Sequence, residues 1–517
     1  MKLLVFFFIS TLIAFGADLQ VPSQLTLQDA LNAAVPGDTI TIDVSTTQTG
    51  NFTLPPHESG MITVRTSAFD DLPNRRVTPA DAPLLAKIST VNAMAALTIQ
   101  SRSSGWRLIG LDVSNVIYSF STLRIGEATE TTTADLPTDI ELDRLFIHGG
   151  IEGGKRGIEL NARSVTIKNC WISNFWGDSQ DTQAIGGWNG TGPYRIANNY
   201  LEASGENILF GGAPPSIPDL VPRDIRITGN HIRKPQEWFT TTHQIKNLLE
   251  LKNADGVWVE GNVFENNWMQ AQSGRAIELS PRTVDCASWC GVRNVVVRNN
   301  IMKGVAGGVG MSGFDNLAAN RSVAGFGGNY QIVNNLFDVG NGEKPWPVNQ
   351  QGWLLMINGI QGIVIDHNTV LGTGDAGIGT MGDGPSNGLV FTNNIVPLNK
   401  YALITAVGIG VVGLDTFAPG YWLRRNVLIG DPPRLDFTTS QVNKGTSAEN
   451  FFPPRLVLNA DYSLPPGSLY KGKATDETDI GADMSMVYEA TKYAVSGALS
   501  MASCPCCVVP SPAIRGQ

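Results

Sequence analysis

Val257-Trp258-Val259-Glu260-Gly261-Asn262 is answered 38 positions on by Val295-Val296-Val297-Arg298-Asn299-Asn300. Both read apolar, any, apolar, any, a turn-tolerant residue, then Asn. Working outward, the phrase precedes them as Val165-Thr166-Ile167-Lys168-Asn169-Cys170, Ile196-Ala197-Asn198-Asn199 and Ile225-Arg226-Ile227-Thr228-Gly229-Asn230. It follows them as Ile332-Val333-Asn334-Asn335, Ile363-Val364-Ile365-Asp366-His367-Asn368 and Leu389-Val390-Phe391-Thr392-Asn393-Asn394. A degenerate copy ends at Asn426, and weaker ones reach back through Leu142-Asp143-Arg144 and Leu108-Ile109-Gly110. From Cys170 to Asn394 the closing residues lie 29, 31, 32, 38, 35, 33 and 26 positions apart. A period in that range marks a solenoid.

Each phrase alternates apolar and polar side chains, which makes a strand with one buried face. Asn tolerates left-handed backbone and bonds a neighbouring amide, so one Asn per coil predicts a ladder inside a shared corner. Helical repeats of similar period need apolar residues three and four apart, and these segments lack them. A propeller or sandwich needs hairpins, whereas one recurring corner describes a coil that always turns the same way. The expected fold is therefore all-β: a single right-handed parallel β-helix in which each coil buries its core against its neighbours.

Leu27 to Ala34 reads as an amphipathic helix before the strand Thr39–Ile42, which predicts an N-terminal capping helix. At the other end, Asp479-Ile480-Gly481-Ala482-Asp483 follows a Pro-rich stretch and reads as the far cap. The divisions expected are a secretory leader over 1–16, cap and first coils over 17–95, repeats over 96–485, and a Cys-containing tail of low order over 486–517. Lys2, the apolar run Leu3–Phe15 and the small-residue site Ala14-Phe15-Gly16 describe that leader. No later stretch reaches the ~18 apolar residues of a membrane span. A secreted protein, extracellular or periplasmic, is expected.

A net charge of −9 without a basic stripe argues against nucleic acid as a partner. Cys286 and Cys290 flank a short loop and could bridge in an oxidising compartment. Cys170, in an apolar strand, reads as a core thiol. Cys504, Cys506 and Cys507 have no nearby His or second cysteine pair to complete a metal site.

A second strand set aligns Gly157–Asn161, Asn207–Gly211, Leu249–Lys252 and Ala276–Ser280. With their apolar residues inward, Glu159, Glu250, Lys252 and Glu278 point outward together. Coils stack ~4.8 Å apart, so Glu250 and Glu278 are expected as direct neighbours. Lys252 lies beside them, with Asn161 and Glu159 two coils away. Arg275 and Arg282 bracket the last strand, and Arg156 precedes the first. Loops on the same side carry Trp238, Phe239, His243, Gln244, Trp268, Gln270 and Gln272. Flat apolar rings beside amide donors suit a sugar polymer. Asn161, Trp238, His243, Gln244, Trp268 and Gln272 are thus the candidate glycan contacts of a monomeric binder of polysaccharide or surface glycan. Outward charges on a strand are ordinarily just solvated, but two facing carboxylates repel unless compensated. Lys252 and the arginines could do this, as could a Ca²⁺ held by Glu250 and Glu278.

Over roughly residues 20–485, the cap helix, the Asn-corner repeat and the terminal Asp-Ile-Gly-Ala-Asp resemble the pectate-lyase-like family of right-handed parallel β-helix proteins. That family includes polysaccharide lyases, glycosidases, epimerases and non-catalytic surface proteins. The outward charge cluster is similar to the alginate lyase and chondroitinase B branch. There a strand lysine removes the proton beside the uronate carboxylate, a nearby arginine protonates the leaving oxygen, and Ca²⁺ neutralises the carboxylate. The resemblance implies Lys252 as base, Arg275 or Arg282 as acid, and Glu250 and Glu278 as metal ligands. The branch's Asn-Lys-Ser stands here as Leu251-Lys252-Asn253, and its Arg-His-Gly is missing. β-Elimination on an acidic polysaccharide is the first expectation. A non-catalytic glycan- or protein-binding module is the alternative. A glycoside hydrolase ranks third, because Glu250 and Glu278 would lie side by side along the axis instead of straddling a sugar.

Overall fold

The computed structural model describes residues 16–57, 60–282, 289–315, 327–339, 354–372, 379–382, 384–399, 401–430 and 450–498. In the coil that opens with Val257, strand Ala254–Glu260 lies in a first sheet, Val263–Asn267 in a second and Arg275–Leu279 in a third. The next coil repeats the path with Val292–Arg298, Ile301–Val305 and Gly307–Ser312. Val257 pairs with Val295 and Val259 with Val297, parallel and in register. Repetition of this path builds three long parallel sheets wound as a right-handed β-helix. Among the described strands one antiparallel pair occurs, Leu403–Thr405 with Gly408–Ile409, at the far end.

The alternation read from the sequence accounts for the core. Ile225, Val257, Val295 and Ile363 are buried in one stack, and Ile227, Val259, Val297, Ile332 and Ile365 in the next. Each such side chain contributes about 1.5–3 kcal/mol on burial.

The corner between the first and second sheets divides two jobs that the sequence reading gave to one Asn. Left-handed backbone falls on the residue before the ladder: Asn169, Asn198, Gly229, Gly261, Asn299, Asn334, His367 and Asn393 have φ between 51° and 66°. The residue that follows turns inward. Asn230 donates from its backbone N and Nδ2 to Asn262 Oδ1 at 2.9 and 3.0 Å, and Asn262 repeats this to Asn300 at 2.9 and 3.1 Å. The ladder runs from Asn199 to Asn450. Cys170 takes the rung before it, its backbone N donating to Asn199 Oδ1 at 2.9 Å while its thiol is buried.

The helix Leu27–Ala33 closes the first end, capped by Thr26 and burying Leu27, Ala30 and Leu31. The far end differs from expectation. Its cap is the helix Val411–Phe417, which buries Val411 and Leu414 in the main core. Asp479–Asp483 instead turns back along the Asn corner. Gly481 N donates to Asn393 O at 2.8 Å, Ala482 N to Thr369 Oγ1 at 2.9 Å and Asp483 N to Asn334 Oδ1 at 2.6 Å.

Order continues past residue 486, where a loose tail is expected. The helix Met484–Thr491 buries Met484 and Val487 beside Ile301 and Leu336. Beyond it the chain reaches Arg76, whose guanidinium donates to Ala494 O at 2.9 Å and Val495 O at 2.6 Å. The reason lies on the outer face of the second sheet. There Phe146, Trp171, Tyr200, His231, Val263, Ile301 and Leu336 stand in one register column. An apolar face of that length needs a cover. Residues 69–85 cover its first part, around Phe146 and Trp171, and the returning strap covers later coils.

Cys290 is disulfide-bonded. Cys286, Cys504, Cys506, Cys507 and residues 1–15 of the expected leader lie outside the described residues. No helix among the described residues is long and apolar enough to cross a membrane.

Candidate functional site

The outer face of the third sheet carries the register column Arg124, Glu159, Gly186, Leu209, Glu250, Glu278, Gly310, Met356. Glu250 faces Glu278 across adjacent coils, as the spacing predicts. Glu159 is three coils from Glu250, not two. The strand overlooked is Gln183–Gly187, buried at every position and ending in two glycines, so it shows no alternation.

Each glutamate has its own cation. Lys252 Nζ lies 3.1 Å from Glu250 Oε1, and Arg275 Nη1 donates to Glu278 Oε2 at 2.8 Å. Asn247 Nδ2 donates to the other Glu250 oxygen at 3.1 Å. Gly310 makes room for Glu278: a Cβ there would meet Glu278 Oε2 at 2.2 Å.

A further carboxylate belongs to the cluster and was not found by sequence reading. Glu206 is fully buried, accepts from Gln183 Nε2 at 2.9 Å and lies 3.4 Å from Lys246 Nζ. Its turn, Ala203–Asn207, is tied by Lys234, whose buried ammonium donates to Ala203 O, Ser204 O, Gly205 O and Asn207 Oδ1 at 2.6–3.0 Å. A charged residue inside Ser204-Gly205-Glu206-Asn207, ahead of the apolar strand Ile208–Phe210, is the trace that could have pointed to it.

Electrostatics separate Glu250 from Glu206. Burial pushes the Glu250 carboxyl up to about 7, with Lys252 pulling against it and Glu206 and Glu278 adding to it. Burial also opposes ionisation of Glu206, but Lys246 and Lys252 outweigh it and hold that carboxyl below the usual range. Burial pushes the Lys234 ammonium down to about 7.

The sequence-predicted contacts divide. Lys252 and Arg282 are backbone neighbours on adjacent coils, with Arg282 N donating to Lys252 O at 3.0 Å. Arg282 Nε lies 3.7 Å from Asp315, whereas Arg275 is engaged by Glu278 and by Met356 Sδ at 3.2 Å. Asn161 is buried, and its Oδ1 accepts from Trp188 N and Asn189 N at 3.0 and 2.9 Å, so it shapes a turn. Trp238 and Trp268 are buried with Ile245 in a small core under the loops instead of facing outward. His243 stacks on Trp176 with centroids 4.3 Å apart and binds Asp178 at 2.8 Å. Gln272 Oε1 accepts from Asn247 Nδ2 at 2.6 Å and so supports Glu250 indirectly. Gln244 is half-buried beside this loop core, its Oε1 without a hydrogen-bond partner among the described residues. Trp188, half-buried just past the strand Gln183–Gly187, has the Arg156 guanidinium 4.9 Å from its ring centroid.

These residues do not fit a calcium site. Ca²⁺ takes six to eight oxygen ligands. Both Glu250 oxygens and one of Glu278 are committed to Lys252, Asn247 and Arg275. Among the described residues no three His, Cys, Asp or Glu side chains are grouped to hold a metal.

No protein-family model matches the chain, and no curated protein matches it. Solved structures do resemble it. The PL6 family alginate lyase AlyGC is 14% identical, with 90% of this chain and 58% of that chain covered and a TM-score of 0.45. The catalytic domain of a GH87 α-1,3-glucanase, in complex with nigerose, is 9% identical over 82% of this chain and 68% of that chain, at 0.40. PfbA, a surface adhesin of Streptococcus pneumoniae, is 13% identical over 72% of this chain and 82% of that chain, at 0.38. The chain thus spans under two thirds of the length of AlyGC. What it shares with all three is the right-handed parallel β-helix.

Proposed function

We propose that this protein is a secreted polysaccharide lyase that cleaves an acidic glycan by β-elimination on the outer face of the third sheet. The observation that supports the reading is the Lys252 ammonium 3.1 Å from Glu250 on this face, with the backbone of Arg282 bonded to that of Lys252 on the next coil. A lysine must be neutral to act as a base, and a plain carboxylate neighbour opposes that. Glu250 is not a plain neighbour, because its carboxyl accepts a proton near neutral pH. In the proposed reaction Lys252 acts in its free-amine form. The free amine then takes the proton α to the substrate carboxylate. The carbanion's electron pair forms the double bond as the C–O bond to the β-linked oxygen breaks, and that oxygen, its developing negative charge stabilised by Arg282, leaves as a hydroxyl with a proton taken from water. Arg275, engaged by Glu278, holds the neighbouring coil's carboxylate and takes no proton. The disulfide at Cys290 supports a location outside the reducing cytoplasm.

A second reading has its own observation. Glu250, Lys252 and Glu278 are only 3, 7 and 8% exposed. Mutual pairing at that burial also describes a structural network beneath a glycan-binding surface without chemistry. One experiment separates the two: the full chain is incubated with polymannuronate, polyguluronate, polygalacturonate and chondroitin, and unsaturated uronate ends are read by absorbance. Product from one polymer, abolished by Lys252→Ala and insensitive to a chelator, is the outcome expected. No product from any polymer, with glycan binding retained in Lys252→Ala, overturns the lyase in favour of the binder.

A further inference from the structure

Lys234 stands just past the strand His231–Arg233 and is completely buried. Its ammonium reaches back to the preceding coil, where the turn 203–207 offers four oxygens. Ala203 O, Ser204 O and Gly205 O accept at 2.9, 3.0 and 2.6 Å, and Asn207 Oδ1 at 3.0 Å. Asn247 O adds a fifth at 3.4 Å. An ammonium has three N–H groups, so five acceptors satisfy it in full. All five oxygens are uncharged, and the carboxylates whose charge reaches Lys234 are Glu206 and Glu202. Such a shell is what a small buried cation needs in place of water, and here the cation is carried on the chain itself.

The cage sits where the supports of the charge cluster meet. Glu206 belongs to the turn itself, accepts from Gln183 Nε2 at 2.9 Å and lies 3.4 Å from Lys246 Nζ. Asn247, whose carbonyl closes the cage, donates from Nδ2 to Glu250 at 3.1 Å. Lys234 and Asn247 are also the two ends of the segment 235–246, so the ammonium closes the neck of that loop against the preceding coil. Lys234 is anchored in turn by the following coil, its N donating to Glu265 O at 3.2 Å and its O accepting from Asn266 Nδ2 at 3.3 Å. One buried charge therefore fixes Glu206 directly and, through Asn247, the carboxyl beside Lys252.

We propose that the turn 203–207 and Asn247 form a binding cage for an ammonium-type cation, filled by the chain's own Lys234, and that this internal ion is the positioning element for Glu206 and Glu250. The cage itself is independent of the chemistry at Lys252, whereas its effect on turnover rests on the lyase reading. Lys234→Ala removes the ion and leaves the oxygens. The full-length variant and the wild type are compared in methylammonium chloride. Tetramethylammonium chloride at equal ionic strength is the control, because it has no N–H to donate. Urea midpoints read the cage, and hydrogen exchange of peptides spanning the turn and Asn247 reads the order it imposes. The midpoint should fall in Lys234→Ala and rise again with methylammonium in a saturable way, as binding to the folded state requires, while the wild type responds to both salts alike. Exchange at the turn and at Asn247 should quicken in the variant and slow again with methylammonium. Where a polymer is turned over, kcat should fall about tenfold or more with KM little changed, and recover in the same salt. If the variant folds only with help, folded protein recovered in methylammonium but not in tetramethylammonium is the same positive result. A variant that responds equally to both salts, or to neither, overturns the cage, and turnover by the wild type then leaves the lyase standing alone. An unchanged kcat in Lys234→Ala overturns the positioning role. Stability and exchange restored by methylammonium in a protein that turns over no polymer leave the cage standing and sink the lyase.

Discussion

Glu250 and Glu278 face each other in register on adjacent coils, yet each is paired with a different cation, Lys252 just past the end of the Glu250 strand and Arg275 three residues upstream of Glu278. Two like charges at that spacing would destabilise the sheet. The face is stable because the strands bring their own counterions.

Removing one partner of the Lys252–Glu250 pair should therefore cost more than removing both. Lys252→Met leaves a buried carboxylate unpaired, and a loss of about 3–5 kcal/mol is expected. The double variant Lys252→Met/Glu250→Leu should recover most of it. Urea unfolding of the two singles and the double forms the cycle, and additive losses would show that the two groups are not coupled.

Glu250 also sets a pH dependence. Its folded-state pKa of about 7 lies above the ordinary 4.5, so the folded protein binds more protons between those values. The sign follows: this stabilising contribution is full below about pH 4.5 and is lost as pH rises toward 7. Glu250→Gln should flatten that part of the stability curve. Urea midpoints measured from pH 4.5 to 7.5 check it, and an unchanged slope in the variant would refute it.

Glu265 should act with the opposite sign. His231 at 2.7 Å and Lys303 at 3.2 Å outweigh its burial and hold its carboxyl down to about 2. The stability it contributes is present above about pH 4.5 and lost as pH falls toward 2. Glu265→Gln should weaken the protein at neutral pH and make acid unfolding less steep, as read by circular dichroism.

The ladder predicts a local cost. Asn300→Ala removes the acceptor of Asn262 N and Nδ2 and the donor to Val259 O. With those buried groups left unmatched, about 2–4 kcal/mol should be lost. Hydrogen exchange should show the Asn262 amide opening faster, with the effect fading over neighbouring coils because contacts in a solenoid are local.

The strap offers a test of the second sheet's cover. Arg76→Ala leaves the carbonyls of Ala494 and Val495 without their donors. Limited proteolysis should then cut after Asp483 sooner than in the wild type, and apolar dye binding should rise as Ile301 and Leu336 lose Met484 and Val487.

What the amino-acid order alone determined is the coil. Val257, Val259 and Asn262, repeated at each turn, specify strand, buried face and corner through local alternation and turn chemistry, and coil stacking follows from that repetition. Even Glu250 against Glu278 was legible, because each sits directly between two inward apolar residues, Leu249 and Leu251 for one and Ile277 and Leu279 for the other. Local pattern could not show what a surface does when distant chain packs on it. Trp238 and Trp268 read as exposed rings but are buried among other loop residues, Asp479–Asp483 reads as a cap but is a strap, and Glu206 and Lys234, which the repeat does not single out, are buried in the cluster's support. In a β-helix the sequence period fixes which residues stack along the axis. Which outward side chains meet solvent depends on loops and on a returning C-terminal segment hundreds of residues away, and only the tertiary structure brings those together.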